Sequence, residues 1–131
     1  MKHFISVNDL NVEEILHVME TAEAYRKGNI QLDQKLFAAN LFYEPSTRTK
    51  MSFIVAQRKL GIETLDFHTE TSSVQKGESL YDTAKTFEAI GADLIVVRHN
   101  DDDWPNQICS NLSIPVINAG AGTKEHPTQC L

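Results

Sequence analysis

The sequence predicts an α/β protein, a parallel four-stranded sheet with helices on both faces. Three observations carry this. Helical and strand patterns alternate, with one helix, then strand and helix three times over, then a last strand. Leu94-Ile-Val-Val97 is continuously apolar, as expected of a parallel strand covered on both sides. Gly28, Gly61 and Gly91 each stand just past a helical pattern, where a left-handed C-cap is wanted.

The first helix spans residues 11–27. Asn11 with Glu14 forms a capping box, and Glu13, Glu14, Arg26 and Lys27 suit the helix dipole. Val12, Ile15, Leu16, Met19 and Ala22 make one apolar stripe, so a packing helix is expected, with His17 at its surface or packing face. A strand over Phe37–Tyr43 is stopped by Pro45, and a helix follows from Thr47 to Leu60. Ile62–Phe67 reads as a second strand, residues 68–77 as a polar stretch too long to belong to it, and Glu78–Ile90 as a helix. The strand Leu94–Val97 ends in Arg98-His99. Asn100-Asp-Asp-Asp-Trp-Pro then reads as the acidic cap of a helix reaching Asn111, with Pro105 in its first turn. Ile114–Asn118 is the expected last strand, followed by a loop over 119–131.

Composition narrows the function classes. At 131 residues, with 41% hydrophobic and 23% charged residues, there is room for one soluble domain. No apolar run approaches the ~20 residues that span a bilayer, and Met-Lys-His-Phe-Ile-Ser-Val has no signal-peptide core, so a cytoplasmic protein is expected. A net charge of −6 argues against general nucleic-acid or membrane binding. Cys109 and Cys130 lack zinc-like spacing and read as free thiols. Asp101, Asp102 and Asp103 are adjacent and do not share a helix face, and no Gly-spaced calcium loop accompanies them, so no metal site is expected.

The chemistry-bearing stretch is Pro45-Ser-Thr-Arg-Thr-Lys50. A helix N-terminus offers unpaired N–H groups and partial positive charge to an anion. Ser46, Thr47 and Thr49 add hydroxyls, and Arg48 a planar fork that grips phosphate. The same residues also read as an ordinary N-cap with solvated charges, Arg98 as a strand-end salt bridge, and His126-Pro127 as a turn. Their convergence favours the cradle more than any single motif does. In a parallel sheet, Ser46–Thr49, Arg98 and the 120–129 loop with His126 all follow strand ends on one edge, where such folds bind ligands.

With these residues assembled, the sequence resembles the carbamoyl-phosphate domain of the aspartate/ornithine carbamoyltransferase family over essentially the whole chain. Ser46-Thr-Arg-Thr49, Val97-Arg98-His99 and His126-Pro-Thr-Gln129 carry the resemblance. Lys76-Gly-Glu-Ser-Leu-Tyr-Asp-Thr83 and Asn118-Ala-Gly120 favour the aspartate branch over the ornithine branch. Ala121 departs from it, standing where relatives commonly carry Asp. The resemblance implies a three-layer, Rossmann-like domain over 1–131, and that the aspartate-binding domain of such enzymes lies outside this chain. It implies that Ser46, Arg48, Thr49 and the backbone of Thr47 hold phosphate. Arg98 would bind phosphate and carbonyl oxygen, Thr49 and His126 would also reach that oxygen, and Gln129 would contact the carbamoyl NH2. Ser72 and Lys76 would be lent across a homotrimer interface, and Glu44 would be an interdomain salt-bridge residue. The implied reaction transfers the carbamoyl group to L-aspartate, a step of pyrimidine biosynthesis, with no metal or cofactor, and needs the second domain to turn over. An ornithine-type enzyme and a free-standing anion-binding module are the alternatives.

Overall fold

The elements run α1 (Val12–Gly28), β1 (Phe37–Phe42), α2 (Thr47–Lys59), β2 (Glu63–Leu65), α3 (Leu80–Ala89), β3 (Leu94–His99), α4 (Trp104–Ile108) and β4 (Val116–Ala121). The computed structural model describes residues 3–28, 34–43, 46–65, 67 and 79–121. Its four strands form one sheet in the order β2-β1-β3-β4, every pair parallel, so the expected fold class holds. In register, Ala39 lies between Leu65 and Ile95, and Phe42 lies beside Arg98. The beginning of the chain adds a further short edge. Phe4 bridges Ile117 in parallel, donating to the Val116 carbonyl (2.8 Å) and accepting from the Asn118 N–H (2.8 Å).

Three boundaries differ from expectation in ways the backbone explains. The last strand starts at Val116 because Pro115 has no N–H to give the ladder. It then runs on to Ala121 through an irregularity opposite Arg98, so Ala119–Ala121 are strand and not loop. The helix after β3 is α-helical only to Ile108 and tightens into a 3-10 turn over Cys109–Asn111.

The two faces of the sheet are unequally covered. Strand alternation sends Ala39, Leu41, Ile95, Val97 and Val116 to one face, where Leu80 and Ala84 of α3 and Trp104 and Ile108 of α4 complete a continuous core. On the other face Phe42, Val96 and Ala119 meet Phe53 of α2, with ring centroids of Phe42 and Phe53 6.4 Å apart. Right-handed crossovers account for the division. The step from β1 to β2 runs opposite to the later steps, so α2 falls on the face away from α3 and α4.

The α1 packing stripe is not as the sequence implied. The Asn11–Glu14 capping box forms, with Glu14 N–H donating to Asn11 Oδ1 (2.8 Å) and Asn11 N–H to Glu14 Oε1 (3.1 Å). Yet α1 buries no residue; Val12, Leu16 and Met19 are 73%, 53% and 49% exposed. The half-buried residues Ile15, Val18, Thr21 and Tyr25 lie on an adjoining face. An apolar groove of about 870 Å³, lined by Val18, Ala22, Tyr25, Ala56, Leu60 and Ile117 among others, separates α1 from the C-terminal half of α2.

A polar clasp ties α3 to the turn before β4. Glu88 accepts from the Ser113 N–H (2.7 Å), the Ser113 hydroxyl (2.8 Å) and Lys85 Nζ (2.9 Å). These donors, Lys85 foremost, lower the Glu88 pKa from 4.5 to about 2. The clasp therefore contributes stability above the ordinary carboxylate range and loses it as pH falls from 4.5 towards about 2. Glu88→Gln should lower stability in urea at pH 7 by about 1–2 kcal/mol. It should also flatten the acid limb of the stability–pH curve; an acid limb of wild-type steepness would contradict the clasp.

Candidate functional site

The starts of α1 and α3 are capped by side chains, whereas those of α2 and of the short α4 are not. The Asn11 box closes the start of α1, and Ser79 accepts from the Asp82 N–H (3.1 Å) at the start of α3. Both helices carry carboxylates in the first turn, Glu13 and Glu14 in one and Asp82 in the other. Ser46 stands at the N-cap of α2 without a side-chain cap bond, and the first turn holds no acid but Arg48 and Lys50. A missing cap costs about 1 kcal/mol, and a cation near the positive end of the dipole about 0.3–1 kcal/mol. Among the described residues Ser46 therefore does not cap α2 through its side chain, and the positive end of this helix carries cations in place of carboxylates. Thr49 turns inward at 7% exposure, Ser46 is half-buried, and Thr47 and Arg48 face solvent. Among the described residues Arg48 makes no ion pair.

The sheet brings Arg98 directly alongside. Tyr43 N–H donates to the Arg98 carbonyl (2.8 Å), so the end of β1 and the end of β3 are bonded neighbours. The chain leaves β1 towards β2 on one side and resumes at β3 on the other, which makes the gap between β1 and β3 the topological switch point. Ser46–Thr49 and Arg98 flank this gap at the carboxyl edge. Arg98 is half-buried, and its Nη1 donates to the Ala119 carbonyl (3.1 Å). Gly120, at φ +140°, lies under the guanidinium; a Cβ there would come within 2.9 Å of Nη1 and 3.1 Å of Cζ.

His99 does structural work beside the gap. Its ring lies 4.9 Å from that of Tyr43, and its Nδ1 accepts from the Asp101 N–H (3.0 Å). The aspartates behave as turn residues. Asp101 accepts from the Asp103 N–H (2.8 Å) and Gln107 Nε2 (2.9 Å), which keep its carboxyl below the ordinary range. Among the described residues no group of three or more His, Cys, Asp or Glu could hold a metal, and no helix is long and apolar enough to cross a membrane. The Cys109 thiol is pushed up to about 11, by burial first and by Asp9 second, which makes it a poor nucleophile.

Of the residues expected at the site, Ser46, Thr47, Arg48, Thr49 and Arg98 gather at this edge. Glu44, Ser72, Lys76, His126 and Gln129 lie outside the described residues. The sequence reading missed the supports beneath the edge. Asn40 and Gln57 exchange two hydrogen bonds between β1 and α2 (2.9 and 2.8 Å), and Trp104 Nε1 donates to the Gly120 carbonyl (3.2 Å). A polar Asn within an apolar strand and a lone Trp beside Pro105 were the available signals.

A family model described as aspartate/ornithine carbamoyltransferase, carbamoyl-P binding domain, matches residues 2–131. The chain belongs to the aspartate/ornithine carbamoyltransferase family. Within that family it is 62% identical over its whole length to the aspartate carbamoyltransferase catalytic subunit of Oceanobacillus iheyensis, covering 43% of that protein. It is 49% identical to the catalytic subunit from Malacoplasma penetrans, covering 44% of it. Among solved structures, the Trypanosoma cruzi aspartate transcarbamoylase with carbamoyl aspartate and phosphate matches at a TM-score of 0.90 and 34% identity. That match covers 98% of this chain and 43% of the other. The M. jannaschii catalytic subunit matches at 0.88 and 40% identity, over 98% and 44%. The chain thus spans less than half the length of these carbamoyltransferases.

Proposed function

We propose that this chain forms the carbamoyl-phosphate half of an aspartate carbamoyltransferase active site. The observation that carries the proposal is the uncapped, cationic start of α2 at the switch point beside Arg98. Charge, open N–H groups and hydroxyls there suit a phosphate monoester anion. Ser46, Arg48, Thr49 and the Thr47 backbone hold the phosphate. Arg98 reaches phosphate and carbonyl oxygen, His126 supports that oxygen, and Gln129 binds the carbamoyl NH2.

The neutral amine of L-aspartate attacks the carbamoyl carbon, and the tetrahedral intermediate collapses with loss of phosphate. Negative charge builds on the carbonyl oxygen, where Arg98, Thr49 and His126 donate; one such donor is worth about 3 kcal/mol. Arg48 and Lys76 stabilise the departing phosphate. Juxtaposing the two substrates supplies about 7–11 kcal/mol at best. L-Aspartate is held by a second domain carried outside these 131 residues. Ser72 and Lys76 serve a neighbouring subunit's site in a cytoplasmic homotrimer, and Glu44 bridges the two domains. The chain alone therefore binds carbamoyl phosphate without turning it over.

The test is calorimetric titration of fresh carbamoyl phosphate into the chain at low and high protein concentration. Saturable binding is expected, tighter at high concentration where neighbours share sites, and weakened about tenfold or more by Arg48→Ala. Wild-type affinity in Arg48→Ala would overturn the cradle. Carbamoyl-aspartate formation by the pure chain would overturn the assignment of aspartate binding to a second domain. If neither concentration binds, the same titration on a chain extended through a second domain decides whether the cradle is real.

A further inference from the structure

Between Val97 and His99, β3 advances two residues while β4 advances three, from Asn118 to Ala121. The extra residue is a β-bulge lying opposite Arg98. A bulge takes backbone groups out of the ladder, and a buried strand has no water to receive them. Here side chains receive them. The Gly120 N–H donates to Asn118 Oδ1 (2.7 Å), and the Gly120 carbonyl accepts from Trp104 Nε1 (3.2 Å). The Ala119 carbonyl accepts from Arg98 Nη1 (3.1 Å). Asn118 is itself anchored, its Nδ2 donating to the Ile5 carbonyl (2.8 Å). Trp104 and Asn118 are 0% and 1% exposed, so both are fixed by the core.

We infer that Trp104 and Asn118 are positioning residues for the Arg98 guanidinium, acting by holding the Gly120 bulge on which it lies. The bulge does two things at once. It puts a residue without Cβ beneath the guanidinium, where a Cβ would stand 2.9 Å from Nη1. It also turns Ala121 back to the face of Trp104 and Val116, since a one-residue slip reverses every later side chain. Without the indole N–H, the Gly120 carbonyl is orphaned and the bulge relaxes towards the ladder, moving the floor under Arg98. That this matters for phosphate rests on the proposed function; the positioning itself does not.

The experiment is NMR of the labelled chain, following the Arg98 Nε–Hε signal, assigned by its loss in Arg98→Met, and the Gly120 amide. Trp104→Phe keeps most of the ring and removes the donor; Asn118→Ser shortens the acceptor. In both, Gly120 exchange should speed up by about tenfold or more. The Arg98 signal should move to the position of a solvated arginine, while Leu41 and Ile95 amides keep their protection. A purely structural role would leave the Arg98 signal in place, so wild-type Arg98 signals in both variants would overturn the inference. A wild-type Arg98 signal indifferent to carbamoyl phosphate would instead overturn the proposed function and leave the positioning role to the variants.

Discussion

Asn40→Leu will destabilise the domain by about 2–4 kcal/mol in urea unfolding, and adding Gln57→Leu will restore more than half of that loss. Asn40 and Gln57 are 0% and 5% exposed, between the sheet and α2. Each amide donates to the other, at 2.9 and 2.8 Å. Removing one partner leaves a buried amide whose donor and acceptor have lost their bonds, a loss of about 1–3 kcal/mol in addition to the bonds themselves. Replacing both with apolar groups removes the orphan. The main-chain carbonyl of Gln57 takes the Ile62 N–H (2.8 Å), so the residue whose side chain ties α2 to β1 is also the one to which the turn into β2 is bonded. A single variant within about 0.5 kcal/mol of wild type would show that the ring is not a clamp.

Arg98→Met will weaken carbamoyl phosphate binding by about a hundredfold while moving the urea stability by about 1 kcal/mol or less. The stem of Arg98 is half-buried beside Gly120, and Met fills nearly the same space without charge. What is lost includes the bond to the Ala119 carbonyl and the cation at the switch point. Binding and stability should therefore separate. Unchanged affinity in a folded Arg98→Met chain would remove Arg98 from the site.

The sheet was legible because its signals are local: a run of four apolar residues, a glycine closing three of the helical patterns, and Pro45 and Pro115 beside strands. The helix start over Ser46–Thr49 was legible for the same reason, being one contiguous stretch. Arg98 was placed at its edge because parallel topology assigns every strand end to one side. Two things escaped. The α1 stripe was read from periodicity, which counts apolar residues but does not say which of them meet a neighbour; Leu16 and Met19 satisfy the period and remain exposed. The Gly120 bulge depends on Trp104, Asn118 and Arg98 meeting across three segments, and no spacing in the sequence encodes that meeting. The glycine was visible, but its φ of +140° was not.

The bridge from Phe4 to Ile117 carries a consequence for synthesis. His3 Nδ1 accepts the Val116 N–H (3.0 Å) across a separation of 113 residues, and Ile5 receives the Asn118 side chain across the same separation. On a ribosome, residues 3–5 thus emerge well before the strand they pair with. Residues 3–5 must wait while β1, β3 and their helices assemble, and they dock only once β4 has been made. The anchor of Asn118, and with it the floor under Arg98, is completed by a segment meeting another that is synthesised 113 residues later.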